Sequence, residues 1–135
     1  MRKIEREMLV AIKRGKNWES GNTEVRHYKG TDSATGINTT EVLLHGNTIA
    51  SHTDGYDWYY NLCGWNTPTT RSRISSIMRE FEDPYLCCGV GTKLGQPEVR
   101  FLHGDPVRVE SSGWFSVKAY QRVEVEQDSD LPSQN

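Results

Sequence analysis

A group of hydrogen-bond donors stands at the start of a predicted helix. The group consists of three threonines and two arginines: Thr67, Thr69, Thr70, Arg71 and Arg73. A threonine followed by proline is typical of a helix N-cap and first position. Free N–H groups, hydroxyls and guanidiniums at one helix start all donate toward negative charge. The segment therefore predicts a binding site for a phosphate or a carboxylate.

The charges of this helix support that hypothesis and leave a structural alternative. Arg71 and Arg73 stand in or near the first turn, where the helix dipole disfavours cations. Glu80, Glu82 and Asp83 stand in the last turn, where it disfavours anions. The arginines therefore need a partner. That partner could be an external anion, an acidic side chain of a neighbouring strand, or a second copy of the chain.

The densest aromatic cluster lies just before this helix, from Tyr56 to Trp65. On a strand, Tyr56, Trp58 and Tyr60 share one face and Tyr59 takes the other. One subset can fill the core while the others stay accessible for stacking with a base or another ring. The stacking candidates are Trp58, Tyr59 and Trp65.

Histidines and cysteines are present without the spacing that metal or nucleophilic chemistry needs. They are His27, His45, His52, His103, Cys63, Cys87 and Cys88. No Cys-x-x-Cys and no His-Glu-x-x-His pattern occurs, and the adjacent cysteines would point to opposite faces of a strand. Residues 89–93 resemble half of a phosphate loop, but a hairpin turn explains them better. We expect no catalytic residue, no metal site, no cofactor and no enzymatic activity.

The first half of the chain contains one predicted helix and four predicted strands. Ile4, Met8, Ala11 and Ile12 form a helical apolar stripe that ends at Gly15. Two-residue alternation then predicts four strands: 23–28, 40–45, 48–52 and 56–62. The pair at residues 46–47 is suited to a two-residue turn between the middle strands.

The second half contains a second helix followed by extended segments. Ile74, Ile77, Met78 and Phe81 form its core-facing stripe, and the helix stops before Pro84. The later extended segments are 85–90, 98–103, a stretch from 107, and 114–125. We predict an α+β fold with one antiparallel sheet of about six strands and two amphipathic helices packed against it. Residues 1–126 would form a single domain, and residues 127–135 a disordered acidic tail.

Composition limits the classes of partner. The chain has 135 residues, a net charge of −2 and a pI near 6.1, which argues against a general nucleic-acid coat. A basic surface must therefore be local: residues 1–16 carry six basic and two acidic side chains, a local net charge of +4. Three cysteines indicate a reducing compartment, and the apolar runs are too short for a membrane span, so no membrane partner is expected.

Two linked motifs resemble those of a known family. They are Leu44-His45-Gly46-Asn47-Thr48-Ile49-Ala50 and Gly64-Trp65-Asn66-Thr67-Pro68-Thr69-Thr70-Arg71-Ser72-Arg73. In this order they resemble an uncharacterised family of small tailed-bacteriophage proteins, with an "LHGN-IA" hairpin followed by a "GW-T-TT-SR" helix start. The chain departs from the usual pattern in having Ile74-Ser75 where Leu-Asn is commoner. The resemblance, which runs from residue 1 to about residue 82, implies a phage or prophage origin and the cytoplasm of the infected bacterial host, but no mechanism.

Two functions of different classes remain open. The first is a non-catalytic phage accessory protein that binds an anionic partner, either nucleic acid or a phosphate-bearing small molecule, through the start of the second helix. The second is a protein–protein module that binds and inhibits a host bacterial protein, with the aromatic strand as its hot spot. Helices on one face of the sheet would leave the other face for water or for a second copy, so a homodimer is also compatible with the pattern.

Overall fold

The computed structural model describes residues 2–30, 36–83 and 87–120 of the chain. The helices and strands follow in this order: α1 (Lys3–Arg14), β1 (Trp18–Ser20), β2 (Thr23–Tyr28), β3 (Thr39–Leu44), β4 (Asn47–Thr53), β5 (Trp58–Tyr60), α2 (Pro68–Phe81), β6 (Cys87–Lys93), β7 (Gln96–Phe101) and β8 (Val107–Arg108). A further helical stretch covers residues 117–120. The predicted α+β class is confirmed, and the predicted tail at 127–135 lies outside the described residues.

The end of α1 and the start of α2 have local causes in the sequence. Gly15 adopts a left-handed φ of 66° and closes α1 by donating its N–H to the last-turn carbonyls of Ala11 and Ile12. Thr67 caps α2 as predicted, because its side chain accepts from the N–H of Thr70, and proline occupies the first helical position. These two caps define where α1 ends and where α2 begins.

The strands form two antiparallel sheets, whereas the sequence predicted one sheet of about six strands. The larger has the order β1-β2-β3-β4-β5 and the smaller has the order β6-β7-β8. Beyond β4, Tyr60 in β5 pairs with Phe115, with backbone N–H···O distances of 2.8 and 2.9 Å in the two directions. Strand β6 does not join this sheet: it pairs with β7 and packs on α2.

The core lies between the larger sheet and the two helices. One row of side chains crosses all five strands of that sheet in register: Trp18, Val25, Val42, Ala50 and Tyr60. Met8 and Ile12 from α1, with Ile74 and Ile77 from α2, pack in the same cluster. Helix α2 contacts both β4 and β6, so it joins the two sheets.

The contact between α2 and β6 depends on small residues. The Ser75 hydroxyl accepts a hydrogen bond from the Val90 N–H at 2.9 Å. A Cβ on Gly89 would lie 2.8 Å from the Ser75 Oγ, and one on Gly91 would lie 2.2 Å from the Arg100 guanidinium carbon. Residues 89–93 thus belong to a strand that α2 and β7 both approach closely. The turn predicted at these residues was wrong. The turn lies instead at residues 94–95.

Two other local predictions need correction. The β3–β4 turn is His45-Gly46, with φ of 50° and 78°, and not Gly46-Asn47, because Leu44 pairs with Asn47 across the hairpin. The extended segment predicted at 114–125 is wrong over residues 117–120, which are helical. Ser116 starts that stretch by accepting from the Ala119 N–H at 3.3 Å. Residues 121–125 lie outside the described part.

The buried stripe of α2 leads to a stability prediction. Ile77 is fully buried, so we expect Ile77→Ala to cost about 2–5 kcal/mol through lost burial and a residual cavity. Val10→Ala, on the exposed side of α1, is the control and should change stability by less than about 0.5 kcal/mol. Urea unfolding measures both. A cost below about 1 kcal/mol for Ile77→Ala would mean that this helix face is not packed as described.

Candidate functional site

Arg73 is buried in an ion pair within the chain. Arg73 is 4% exposed, and its Nη1 lies 2.8 Å from the Glu5 Oε2. Its Nε donates to the Thr23 hydroxyl at 3.0 Å. One guanidinium thus connects α2, α1 and β2. Arg73 therefore pairs with an acidic side chain of its own chain, although this partner lies on α1 and not on a neighbouring strand. We do not retain Arg73 as a ligand for an external anion.

Glu5 is held as a carboxylate by the same arrangement. Burial raises the pKa of Glu5, but hydrogen bonds from Ser72, Arg73 and Ser76 and the Arg73 charge more than offset this, so the pKa is lowered overall. The Ser72 hydroxyl donates to the same Oε2 at 2.6 Å. Because the pKa is depressed, the pair stabilises the fold above the ordinary glutamate pKa, and this contribution is lost as the pH falls through the lowered value.

Arg71 is also engaged within the chain, but by neutral acceptors. Its Nη1 donates to the Asn66 carbonyl at 2.9 Å and to the Asn66 Oδ1 at 2.7 Å. The Asn66 side-chain amide in turn donates to the Thr92 hydroxyl at 3.1 Å and to the Gly95 carbonyl at 3.2 Å. Arg71 is only half-buried. It therefore links the start of α2 to the turn of the smaller sheet while part of it faces solvent.

The three threonines differ in whether their hydrogen-bond donors already have a partner. The Thr67 hydroxyl accepts from the Thr70 N–H at 3.2 Å and lies 2.9 Å from the Thr70 hydroxyl, and Thr70 is buried. By contrast, neither the N–H nor the hydroxyl of Thr69 forms a hydrogen bond with any residue that the structure describes. Thr69 therefore provides free donors at the start of α2.

The stacking candidates occupy three different environments. Trp58 is 7% exposed and stacks against His52 and Phe81, with ring centroids 4.9 and 5.1 Å apart. Its ring belongs to the core, so we do not retain it as a platform. Tyr59 is exposed on the uncovered face of the larger sheet, and Trp65 is 62% exposed beside α2. Trp65 is thus the exposed ring nearest the threonines.

A cleft brings the two motif segments together. The β3–β4 turn and the start of α2 enclose a cavity of about 560 Å³, lined by Leu44, His45, Asn47, Ile49, Leu62, Cys63, Trp65, Thr67, Thr69 and Thr70. All three predicted anion-binding threonines and the stacking candidate Trp65 therefore line the same cavity. Arg71, Arg73, Trp58 and Tyr59 are not among the lining residues.

From the sequence, no functional role was predicted for two polar residues of this cleft, His45 and Asn47, and the hairpin tip was predicted as a turn alone. His45 and Cys63, both in the lining, adopt φ of 50° and 57°, a conformation uncommon outside glycine. A histidine at the first position of a tight turn, where asparagine or glycine fits more easily, is the signal that could have marked the site.

The lining of the cleft includes one cysteine, Cys63. Burial raises the pKa of the Cys63 thiol, whose Sγ donates to the Thr48 carbonyl at 3.1 Å. Within ranges 2–30, 36–83 and 87–120, no group of three histidine, cysteine, aspartate or glutamate side chains could hold a metal ion. No helix in those ranges is long and apolar enough to cross a membrane.

The different environments of the two arginines predict stability losses of different size when each is replaced by glutamine. Arg73→Gln leaves the Glu5 carboxylate buried without its cation, so we expect a loss of about 3–5 kcal/mol. Arg71→Gln removes a half-exposed cation from a dipole-disfavoured position, so the loss should stay below about 1 kcal/mol. Urea unfolding at neutral pH measures both. Equal effects of the two substitutions would contradict the assignment of Arg73 to a buried pair.

Comparison with known proteins supports the predicted phage family. No curated protein and no solved structure matches the chain. The family model of the Kyanoviridae Gp96 protein matches residues 1–122, which include α1, both sheets and the cleft. The chain therefore belongs to the Kyanoviridae Gp96 family of phage proteins.

Proposed function

We propose that this chain is a non-catalytic phage accessory protein whose cleft binds a phosphate-bearing small molecule with a planar ring. One observation carries the proposal: a concave cavity joins an exposed Trp65 ring to the free donors of Thr69. Its volume of about 560 Å³ lies within the range of small-molecule sites. A concave site of this size favours a single nucleotide-sized ligand over a long nucleic acid.

The anionic end of the ligand is assigned to the start of α2. Neither the N–H nor the hydroxyl of Thr69 has a hydrogen-bond partner among the described residues, and the positive end of the helix dipole lies at the same place. His45 and Asn47 are exposed in the lining contributed by the β3–β4 turn and carry further polar groups. This arrangement supports an anion held by neutral donors, with the two arginines acting as supports of the helix start.

The ring of the ligand is assigned to the apolar part of the same cleft. Leu44, Ile49 and Leu62 are buried residues of its lining, and Trp65 offers an exposed indole. Stacking of a base on an aromatic side chain contributes about 1–3 kcal/mol. A ligand with both a ring and a phosphate would therefore use two parts of the cleft, and neither group alone would suffice.

Binding is better supported than catalysis by the groups in this lining. The described residues that line the cleft include no carboxylate. The raised pKa of Cys63 disfavours the thiolate that a nucleophile needs. The cleft thus contains donors and apolar surface, with His45 and Cys63 as its titratable side chains.

Titration with matched ligands tests the proposal. We expect nucleoside monophosphates to bind at least about tenfold more tightly than the nucleosides or inorganic phosphate, because each of the latter fills only one part of the cleft. Isothermal titration calorimetry gives the affinities. Short single-stranded oligonucleotides form a separate arm, and tighter binding of these than of mononucleotides would move the assignment to nucleic acid.

Three substitutions separate the cleft from the rest of the surface. Thr69→Glu should abolish binding through like-charge repulsion while leaving stability unchanged or raising it by about 0.3–1 kcal/mol, since an acid favours a helix start. Trp65→Ala should weaken binding by about 1–3 kcal/mol. Trp114→Ala, which removes another half-exposed tryptophan, is the matched control and should have no effect. The proposal fails if no mononucleotide binds, or if Trp114→Ala acts like Trp65→Ala.

The remaining functional hypotheses stay predictions. Binding and inhibition of a host protein relied on the aromatic strand, and of its rings Trp58 and Tyr60 are buried while Tyr59 is exposed. Location in the host cytoplasm and assembly as a homodimer likewise stay predictions.

A further inference from the structure

We propose a second binding surface, a basic groove between α1 and β1 that accepts an acidic, partly apolar segment of a partner protein. The groove has a volume of about 360 Å³ and is lined by Arg6, Glu7, Val10, Ala11, Arg14, Lys16, Asn17 and Trp18. It shares no lining residue with the cleft. The inference is therefore independent of the proposed function.

The cations of this groove lack partners within the chain. Arg6, Arg14 and Lys16 are exposed, and none of them forms an ion pair in the described part of the chain. Of the two acids on α1, Glu5 pairs with Arg73 and Glu7 pairs with Lys3. In a chain of net charge −2, this leaves a local surface of unpaired positive charge.

The apolar floor of the groove favours a protein segment as its occupant. Val10 is 46% exposed between the two arginines, and Ala11 and half-buried Trp18 complete the floor. A phosphodiester backbone has no apolar group to fill such a floor. Trp18 packs against the core cluster, which limits its use as a stacking platform. A peptide that places an apolar side chain between carboxylates satisfies both features.

The spacing along α1 specifies the sequence of that peptide. Arg6, Val10 and Arg14 follow at intervals of four residues, so the two arginines are separated by about 12 Å along the helix axis. In an extended peptide, residues i and i+4 are separated by about 13 Å, and residue i+2 lies between them on the same face. The groove therefore fits the pattern acid-x-apolar-x-acid.

Two synthetic peptides of identical composition test this assignment. The first contains Glu-Ser-Leu-Ser-Glu, and the second contains Ser-Glu-Leu-Glu-Ser, which turns its acids to the face opposite the leucine. Amide chemical shifts of the full chain, followed by NMR during titration, give the dissociation constants. We expect the first peptide to perturb residues 6–18 and to bind about tenfold or more tightly than the second. Equal binding of both peptides, or no perturbation by either, would overturn the proposal.

Substitutions with a matched loss of charge complete the test. Arg6→Gln with Arg14→Gln should raise the dissociation constant of the first peptide by about tenfold or more, because two charge-assisted hydrogen bonds are lost. Lys93→Gln with Arg108→Gln removes two exposed cations from the smaller sheet and should change it by less than about threefold. Trp65→Ala should leave the dissociation constant of the first peptide unchanged. This result distinguishes the groove from the ligand site proposed in the cleft. If an oligothymidylate binds in an Arg6- and Arg14-dependent way and the peptide does not, the partner is nucleic acid and the proposal is wrong.

Discussion

The buried ion pair between Glu5 and Arg73 is the constraint on which the arrangement of the helices depends. A charge removed from water is costly unless its partner and its hydrogen bonds are in place. Here Ser72 and Thr23 complete those hydrogen bonds. The pair is satisfied only when α1, α2 and β2 adopt one relative position, so it specifies how both helices sit on the larger sheet.

That position also creates the cleft. With Arg73 turned inward and Arg71 bonded to Asn66, the start of α2 is attached on one side to the core and on the other to the turn of the smaller sheet. At this helix start, the N–H and hydroxyl of Thr69 have no hydrogen-bond partner in the described part of the chain, and Thr69 lines the cleft together with the β3–β4 turn. The arginines thus act through the position of the helix, and the ligand that we propose would contact neutral groups.

Local features could be predicted from the sequence, and long-range pairings could not. The Thr67 cap, the Gly15 end of α1 and the strand at 23–28 depend on neighbouring residues and were predicted correctly. The partner of Arg73 lies 68 residues away, so no local pattern identifies it. The division into two sheets, with Phe115 and not β6 bridged to β5, is likewise invisible to periodicity. The motif residues could be identified in the sequence, but only the tertiary structure shows that they lie around one cavity.

A double-mutant cycle on Glu5 and Arg73 tests the central claim most directly. The free energy of unfolding is measured for the wild type, Glu5→Gln, Arg73→Gln and the double variant. If the two side chains form the constraint, the double variant loses less stability than the sum of the single losses, with a coupling energy of about 1–3 kcal/mol. Losses that add to within about 0.5 kcal/mol would show that the two residues act independently and would contradict the account.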